Sequence, residues 1–204
     1  MSGVLVLGGN RATGLEIVKA LRAREIQTSV LVRPTAEISA LQAMGAEAIV
    51  GQAVDSQSVT QAVSRGSFRA LICAVGGSLM GGGAHYEPTK NMIDAARGAN
   101  IQRVIMISSI GVGDSHDALP VFVHWILGRA MKQKERAEVY VKASGLDYTI
   151  IRPGNLTTGP ATSTARLVLD PKASGKISRA DVGQLTAAAL DDPAALGKTY
   201  AAVA

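Results

Sequence analysis

Short runs of consecutive apolar residues alternate along this chain with stretches in which apolar residues recur every three or four positions. The first run, Val4-Leu5-Val6-Leu7, predicts a strand buried on both faces of a parallel sheet, because a strand with one wet face would alternate apolar with polar. Over 12–24, Leu15, Ile17, Val18 and Leu21 fall on one helical face, with Glu16, Lys19, Arg22 and Arg24 largely on the other. The same alternation runs to the end. Strands are expected at 28–32, 46–50, 70–75, 104–108, 148–151 and 198–203, and helices at 37–44, 57–65, 88–99, 120–144 and 179–190. Asp55 or Ser56 is placed to cap one helix, Gly45 and Gly145 end two others, and Arg152-Pro153-Gly154 breaks the strand before it. No long linker, repeat or low-complexity tract interrupts the order. It predicts an α/β protein with one domain over 1–204, whose right-handed crossovers give a doubly wound parallel sheet in the order 3-2-1-4-5-6, with 198–203 as a possible seventh strand. The Thr-, Ser-, Gly- and Pro-rich segment 155–176 reads as a substrate-side loop or small lobe.

Between the first strand and first helix lies Gly8-Gly9-Asn10-Arg11-Ala12-Thr13-Gly14. Glycines there let the backbone turn tightly and approach a ligand, while the start of the helix presents free N–H groups and the positive end of its dipole. Such a point suits a pyrophosphate. A buried strand, a glycine turn, an amphipathic helix and a second strand within about thirty residues meet the requirements of a Rossmann-type dinucleotide site. No Gly-Lys-Ser/Thr follows, so this is not the phosphate loop of a nucleoside triphosphatase. At the end of the second strand, where NAD sites carry an acidic residue for the ribose hydroxyls, stands Arg33. A carboxylate would repel a 2′-phosphate and a guanidinium can grip it, with Arg11 as a second cation. NADP(H) is therefore the expected cofactor. The run 78–85, after Gly76-Gly77, lies where ligands bind in open α/β sheets.

Composition narrows the rest. The 204 residues are 47% hydrophobic, enough for a sizeable core, and carry a formal charge of +5. The basic residues are scattered and aromatics make up 3%, which leaves few stacking platforms for nucleic acid. Cys73 stands alone, so neither an intrachain disulfide nor a cysteine-built metal site can form, and no metal is expected. No signal peptide precedes the first strand and no apolar run approaches a membrane span. A cytoplasmic monomer or homodimer acting on a small molecule, with neither membrane nor nucleic-acid partner, is the expectation.

Several segments together resemble the short-chain dehydrogenase/reductase superfamily, and within it the compact atypical members, NmrA-like and biliverdin reductase B-like. They are 8–14, Leu31-Val32-Arg33-Pro34, Ile107-Ser108-Ser109, 146–154 and Ile177-Ser178-Arg179-Ala180-Asp181-Val182. In 8–14, Arg11 or Ala12 stands where a middle glycine is usual. The resemblance implies that Asp55 lies near the adenine, that Ala74, Val75 and Gly76 pass the adenosine ribose, and that Pro153, Gly154 and Asn155 flank the nicotinamide. It also implies Lys134 on the nicotinamide ribose, with Ser108 and Ser109 facing the substrate. The family's chemistry uses Tyr-x-x-x-Lys, but four residues before Lys134 is Ala130, and shifting to Lys132 brings Gly128. Without that tyrosine, His85, Tyr86, His116 and His124 are the candidate proton donors; Tyr140 and Tyr148 read as structural, and Trp125 as helix packing or, alternatively, a substrate-facing platform. The function implied is NADPH-dependent reduction of a small carbonyl, flavin, quinone or tetrapyrrole-like acceptor by direct hydride transfer. A non-catalytic NADP(H) sensor, or an epimerase, isomerase or dehydratase with transiently reduced NADP, stands as the alternative.

Overall fold

In β1 (Gly3–Leu7) every residue is buried, and its side chains alternate between two separate cores. Val4 and Val6 enter one and Leu5 and Leu7 the other, as the period of two along a strand requires. The computed structural model describes residues 2–76, 85–118 and 121–204, and of 121–127 the backbone only. β1 pairs in parallel with β2 (Thr28–Val32) and, on its other edge, with β4 (Phe68–Cys73). With β3 (Glu47–Val50), β5 (Arg103–Ile107), β6 (Asp147–Pro153) and β10 (Lys198–Val203) the parallel part reads β3-β2-β1-β4-β5-β6-β10. A short strand, β8 (Arg166–Val168), adds an antiparallel edge to β10, while β7 (Asn155–Thr157) and β9 (Lys176–Ser178) pair apart from the main sheet. The sheet is the doubly wound Rossmann arrangement, with 198–203 as its seventh parallel strand.

Helices cover both faces. On one, α1 (Ala12–Ala23), α2 (Ser39–Ala43) and α6 (Arg179–Ala189) send Ile17, Val18, Leu21, Leu41, Val182 and Ala187 against Val4, Val6, Val30, Ile72, Ile105 and Ile151. On the other, α3 (Ser56–Ser64), α4 (Tyr86–Gly98) and α5 (Val121–Lys142) pack Val59, Met92, Ile93, Ala137 and Val141 against Leu5, Leu7, Leu71, Val104, Met106 and Ile150. Covering both faces is why the strands read as continuous apolar runs. Among the described residues no helix is long and apolar enough to cross a membrane.

Three local expectations change. β6 continues through Arg152 and Pro153, because proline is its last residue and its carbonyl still accepts from Ile110 N at 3.1 Å. β4 begins at Phe68 and ends at Cys73, two residues early, so that 74–76 leave the sheet at the site. The segment 155–176 holds β7, β8 and the first residue of β9, strands too short for composition to reveal. The run 78–85, His85 excepted, falls outside the described residues, as do the side chains of His124 and Trp125.

α6 lies against α1, where Gly183 meets the backbone of Glu16. A Cβ at Gly183 would lie 2.5 Å from the Glu16 carbonyl oxygen. Gly183→Ala should therefore cost about 1–3 kcal/mol by forcing the helices apart. Gly98→Ala, where nothing lies within 4 Å of the added carbon, should be neutral or stabilising; thermal denaturation of the two variants checks the contrast.

Candidate functional site

The turn after β1 is shaped by one close approach. A Cβ on Gly14 would lie 2.0 Å from the Gly8 carbonyl oxygen, so the first turn of α1 can rest on the preceding loop only if that carbon is missing. Gly8 leaves the strand at φ +81°. Arg11 is extended, with φ −159°, and Ala12 takes φ +49°, a left-handed conformation that costs an L-residue about 1–2 kcal/mol. Ala12 is thus the residue in the glycine-favouring conformation, and the turn carries its strain. Arg11 gives no side-chain cap and no acidic residue lies in the first turn of α1, which leaves the helix start free to meet an anion.

A cavity of about 550 Å³ opens here, within the usual range for small-molecule sites. Gly8, Asn10, Arg11, Ala12, Thr13 and Gly14 form one wall; Leu31 and Arg33 another; Gly51 to Val54 and Ala74, Val75 and Gly76 the remainder. Leu156 of β7 and Arg179 of α6 reach it from the far side. Among the described residues, three arginines and no acidic residue line it. A cradle that admits no Cβ, a free helix start and a wall whose charged residues, among those described, are all arginines fit a dinucleotide carrying a pyrophosphate and a 2′-phosphate.

Of the residues expected at the pyrophosphate and adenine, Gly9 and Asp55 do not line this cavity, and Lys134, Pro153, Gly154 and Asn155 lie outside its wall as well. Gly9 is buried toward Val18, Val30 and Val6. Asp55 is the cap of α3, accepting from Gln57 N at 3.3 Å, Ser58 N at 3.0 Å and Ser58 Oγ at 2.7 Å, hydrogen bonds that hold its carboxyl below the ordinary range. Its neighbour Val54 faces the cavity instead. Sequence reasoning missed Leu31, the run 51–54, Leu156 and Arg179; the run was findable as the carboxyl end of a parallel strand, where such sheets bind ligands.

The remaining expected residues gather at the ends of β5 and β6. Lys134 Nζ donates to the Ser108 carbonyl oxygen at 3.0 Å. Burial, opposed by the charges of Glu138 and Cys73, brings this ammonium down to about 8. Its other N–H groups are suited to ribose hydroxyls. Ala130, one turn earlier, is buried. Ser108 Oγ donates to Glu138 Oε1 at 2.5 Å and Ser109 Oγ to the Ile110 carbonyl at 3.0 Å. Neither hydroxyl proton is left over for a substrate carbonyl in this conformation. Glu138 is itself buried and accepts from Arg152 Nε at 3.0 Å and Nη2 at 2.6 Å, while Arg152 Nη1 reaches Asp114 at 2.5 Å. Burial works against the Arg152 charge, but its carboxylate partners prevail and raise its pKa. The spacing of Lys134 and Glu138 and the lone charge in the apolar run 148–153 were the available signals for this network. Pro153, Gly154 and Asn155 lie where β6 passes to β7, with Gly154 N donating to Ala202 O and Asn155 N to Gly175 O.

Among the candidate proton donors, His85 is buried with no hydrogen-bond partner at Nδ1 among the described residues, and burial, then the charge of Lys134, lowers its pKa. Tyr86 meets the Tyr140 ring edge-on at 6.1 Å, and His116 sits 3.2 Å from Asp117. Cys73 is a buried free thiol, its pKa raised by burial. Among the described residues no group of three or more His, Cys, Asp or Glu side chains could hold a metal ion.

Comparison with known proteins places these features. The profile of the NAD(P)H-binding family matches residues 8–193. The uncharacterized sugar epimerase YhfK of Bacillus subtilis (strain 168) is 31% identical over 202 residues, covering 93% of this chain and 88% of that one. Sanguinarine reductase of Eschscholzia californica is 34% identical over 107 residues, 50% of this chain and 38% of its own. Among solved structures, ChuY, an anaerobillin reductase from Escherichia coli O157:H7, superposes with a TM-score of 0.87 at 27% identity, over 99% of this chain and 97% of that one.

Two outcomes are expected. Gly14→Ala should weaken NADPH binding more than about tenfold in a fluorescence titration, since the cradle must open to admit the methyl group. Lys134 generates a pH effect on stability. With a folded pKa of about 8 and an ordinary value of 10.5, the unfolded chain binds the extra proton between them, so the penalty of burying the charge is full below that window and vanishes above it. Urea denaturation should show the wild type gaining stability relative to Lys134→Met as pH rises from about 8 to about 10; a gap independent of pH would contradict the assignment.

Proposed function

The chain belongs to the NAD(P)H-binding family, and from that premise we propose that it is an NADPH-dependent reductase of the atypical short-chain type, acting on a small carbonyl, flavin, quinone or tetrapyrrole-like acceptor. When bound, the reduced nicotinamide supplies a hydride. The residues of this chain supply binding, orientation and charge. The turn 8–14 and the start of α1 hold the pyrophosphate, Arg33 with Arg11 selects the 2′-phosphate, and the loop 51–54 receives the adenine, its position fixed by the Asp55 cap. Lys134 orders the nicotinamide ribose and is itself held by the Ser108 carbonyl. The Glu138–Arg152 pair fixes Ser108 from behind.

The observation that carries this reading is the buried Ala130, one helical turn before a retained Lys134. A site that keeps the ribose-binding lysine and lacks the proton-donating hydroxyl suits acceptors whose reduced form takes its proton from water. The reductase names carried by the anaerobillin and sanguinarine relatives support the same class. The missing hydroxyl also favours a second reading, a non-catalytic NADP(H) sensor, and the epimerase name of the Bacillus relative favours internal recycling of the cofactor.

Purified protein mixed with NADPH should consume it, followed by nicotinamide absorbance, on addition of one of anaerobillin, sanguinarine, flavin, quinone, aldehyde or ketone. NADPH that binds tightly and is consumed with none of these acceptors would sink the reductase reading in favour of the sensor or the internally recycling enzyme.

A further inference from the structure

Arg179 is the first residue of α6, half-buried, and its side chain lines the same cavity as Arg11 and Arg33. Among the described residues no carboxylate or carbonyl holds its guanidinium. Three other arginines are by contrast engaged: Arg152 on Glu138, Arg69 on Asp191, and Arg103 on the Ala189 and Leu190 carbonyls at the end of α6. A guanidinium without a partner among the described residues, in a cavity wall where those residues include no acid, is a site for an anion.

The backbone beneath it is held firmly. Ser178 Oγ accepts from Asp181 N at 3.0 Å and donates to Asp181 Oδ2 at 2.8 Å, and Thr162 N donates to Asp181 Oδ1 at 2.6 Å. The start of α6 is thereby tied to the segment between β7 and β8, while the Arg179 side chain takes no part in these bonds. Helix packing then decides which anion it meets. Gly183, one turn further along α6, is pressed against the Glu16 backbone, and Glu16 is itself one turn beyond Ala12. The two helix starts therefore lie side by side at the cavity, and Arg179 stands next to the free N–H groups of α1. Arg33 enters from the end of β2, on the opposite side of β1 from β4 and β6.

We propose that Arg179 is a pyrophosphate clamp: it binds the cofactor's diphosphate against the start of α1, while Arg33 serves the 2′-phosphate. This rests on the reading that the cavity holds NADP(H). The diphosphate is common to both nicotinamide dinucleotides and the 2′-phosphate to one, so the two arginines have separable signatures.

The experiment is a fluorescence titration of wild type, Arg179→Ala, Arg179→Lys and Arg33→Ala with NADPH and with NADH. Arg179→Ala should weaken both cofactors by the same factor, about tenfold, with partial recovery in Arg179→Lys, whereas Arg33→Ala should weaken NADPH alone. Unchanged affinities in Arg179→Ala would overturn the proposal, and a loss confined to NADPH would move Arg179 to the 2′-phosphate and overturn it equally. Because no internal bond of Arg179 is lost, the thermal midpoint of Arg179→Ala should match wild type; if it falls, Arg179→Gln carries the comparison. Wild type that bound neither dinucleotide would instead refute cofactor binding in this cavity, a result distinct from any outcome for Arg179.

Discussion

The first turn of α1 rests on the loop that leaves β1 with no room for a side chain between them, and most of the site depends on that contact. Gly14 faces the Gly8 carbonyl at a distance no Cβ survives. The contact fixes where the helix begins, and so where its free N–H groups point. It also accounts for Ala12 being held at a positive φ, since the chain must complete the turn within the residues available. Strain of this size is small against the packing of a whole helix on a sheet, and it persists because the buried faces of Ile17, Val18 and Leu21 over-determine the position of α1.

A second close approach extends the consequence. α6 can lie on α1 only because Gly183 admits the Glu16 backbone, and this brings a second helix start to the same cavity. Residues distant in sequence, Arg11, Arg33 and Arg179, then surround one volume that no carboxylate of the described residues lines. Arg11 and Arg33 are exposed and Arg179 half-buried, so an anion entering this volume meets three cations that remain largely solvated. A ligand that binds only the folded chain stabilises it by mass action, so occupation of the site and folding are linked.

The other end of the site follows a different rule. Around Ser108 the polar groups satisfy one another: Lys134 on a carbonyl, the serine hydroxyl on Glu138, Glu138 on Arg152, Arg152 on Asp114. A buried ion pair of this kind contributes little net stability but is costly to break, because removal of one member strands the other charge. Its effect here is positional. It joins the ends of β5 and β6, α5 and the turn at Gly113–Ala118, and so sets the backbone from which Lys134 and Ser108 present themselves. The buried thiol of Cys73 and His85, whose Nδ1 has no hydrogen-bond partner among the described residues, lie on the β4 and α4 side of the same region.

The order of elements, the parallel sheet and the cofactor turn were legible from the chain alone, because each rests on local patterns: apolar runs for strands buried on both faces, a three-to-four repeat for helices, glycine where a Cβ cannot fit. Arg33 was legible too, since its place at the end of β2 follows from counting along one strand. What the chain could not disclose depends on elements distant in sequence meeting in space. That Gly9 turns to the core while Arg179 turns to the cavity, that the Asp55 carboxylate is spent on a helix cap, and that Glu138 finds Arg152 are matters of packing between elements. Composition likewise concealed β7, β8 and β9, whose pairing comes from the neighbours they meet and not from propensity in three residues. Sequence by itself determined the fold and the chemistry of the cofactor turn, because local sterics and periodicity act within a few residues. Only the tertiary structure decided which charges face the ligand and which neutralise one another, because that depends on long-range contacts whose partners are set by the close approach of α1 to β1 and of α6 to α1.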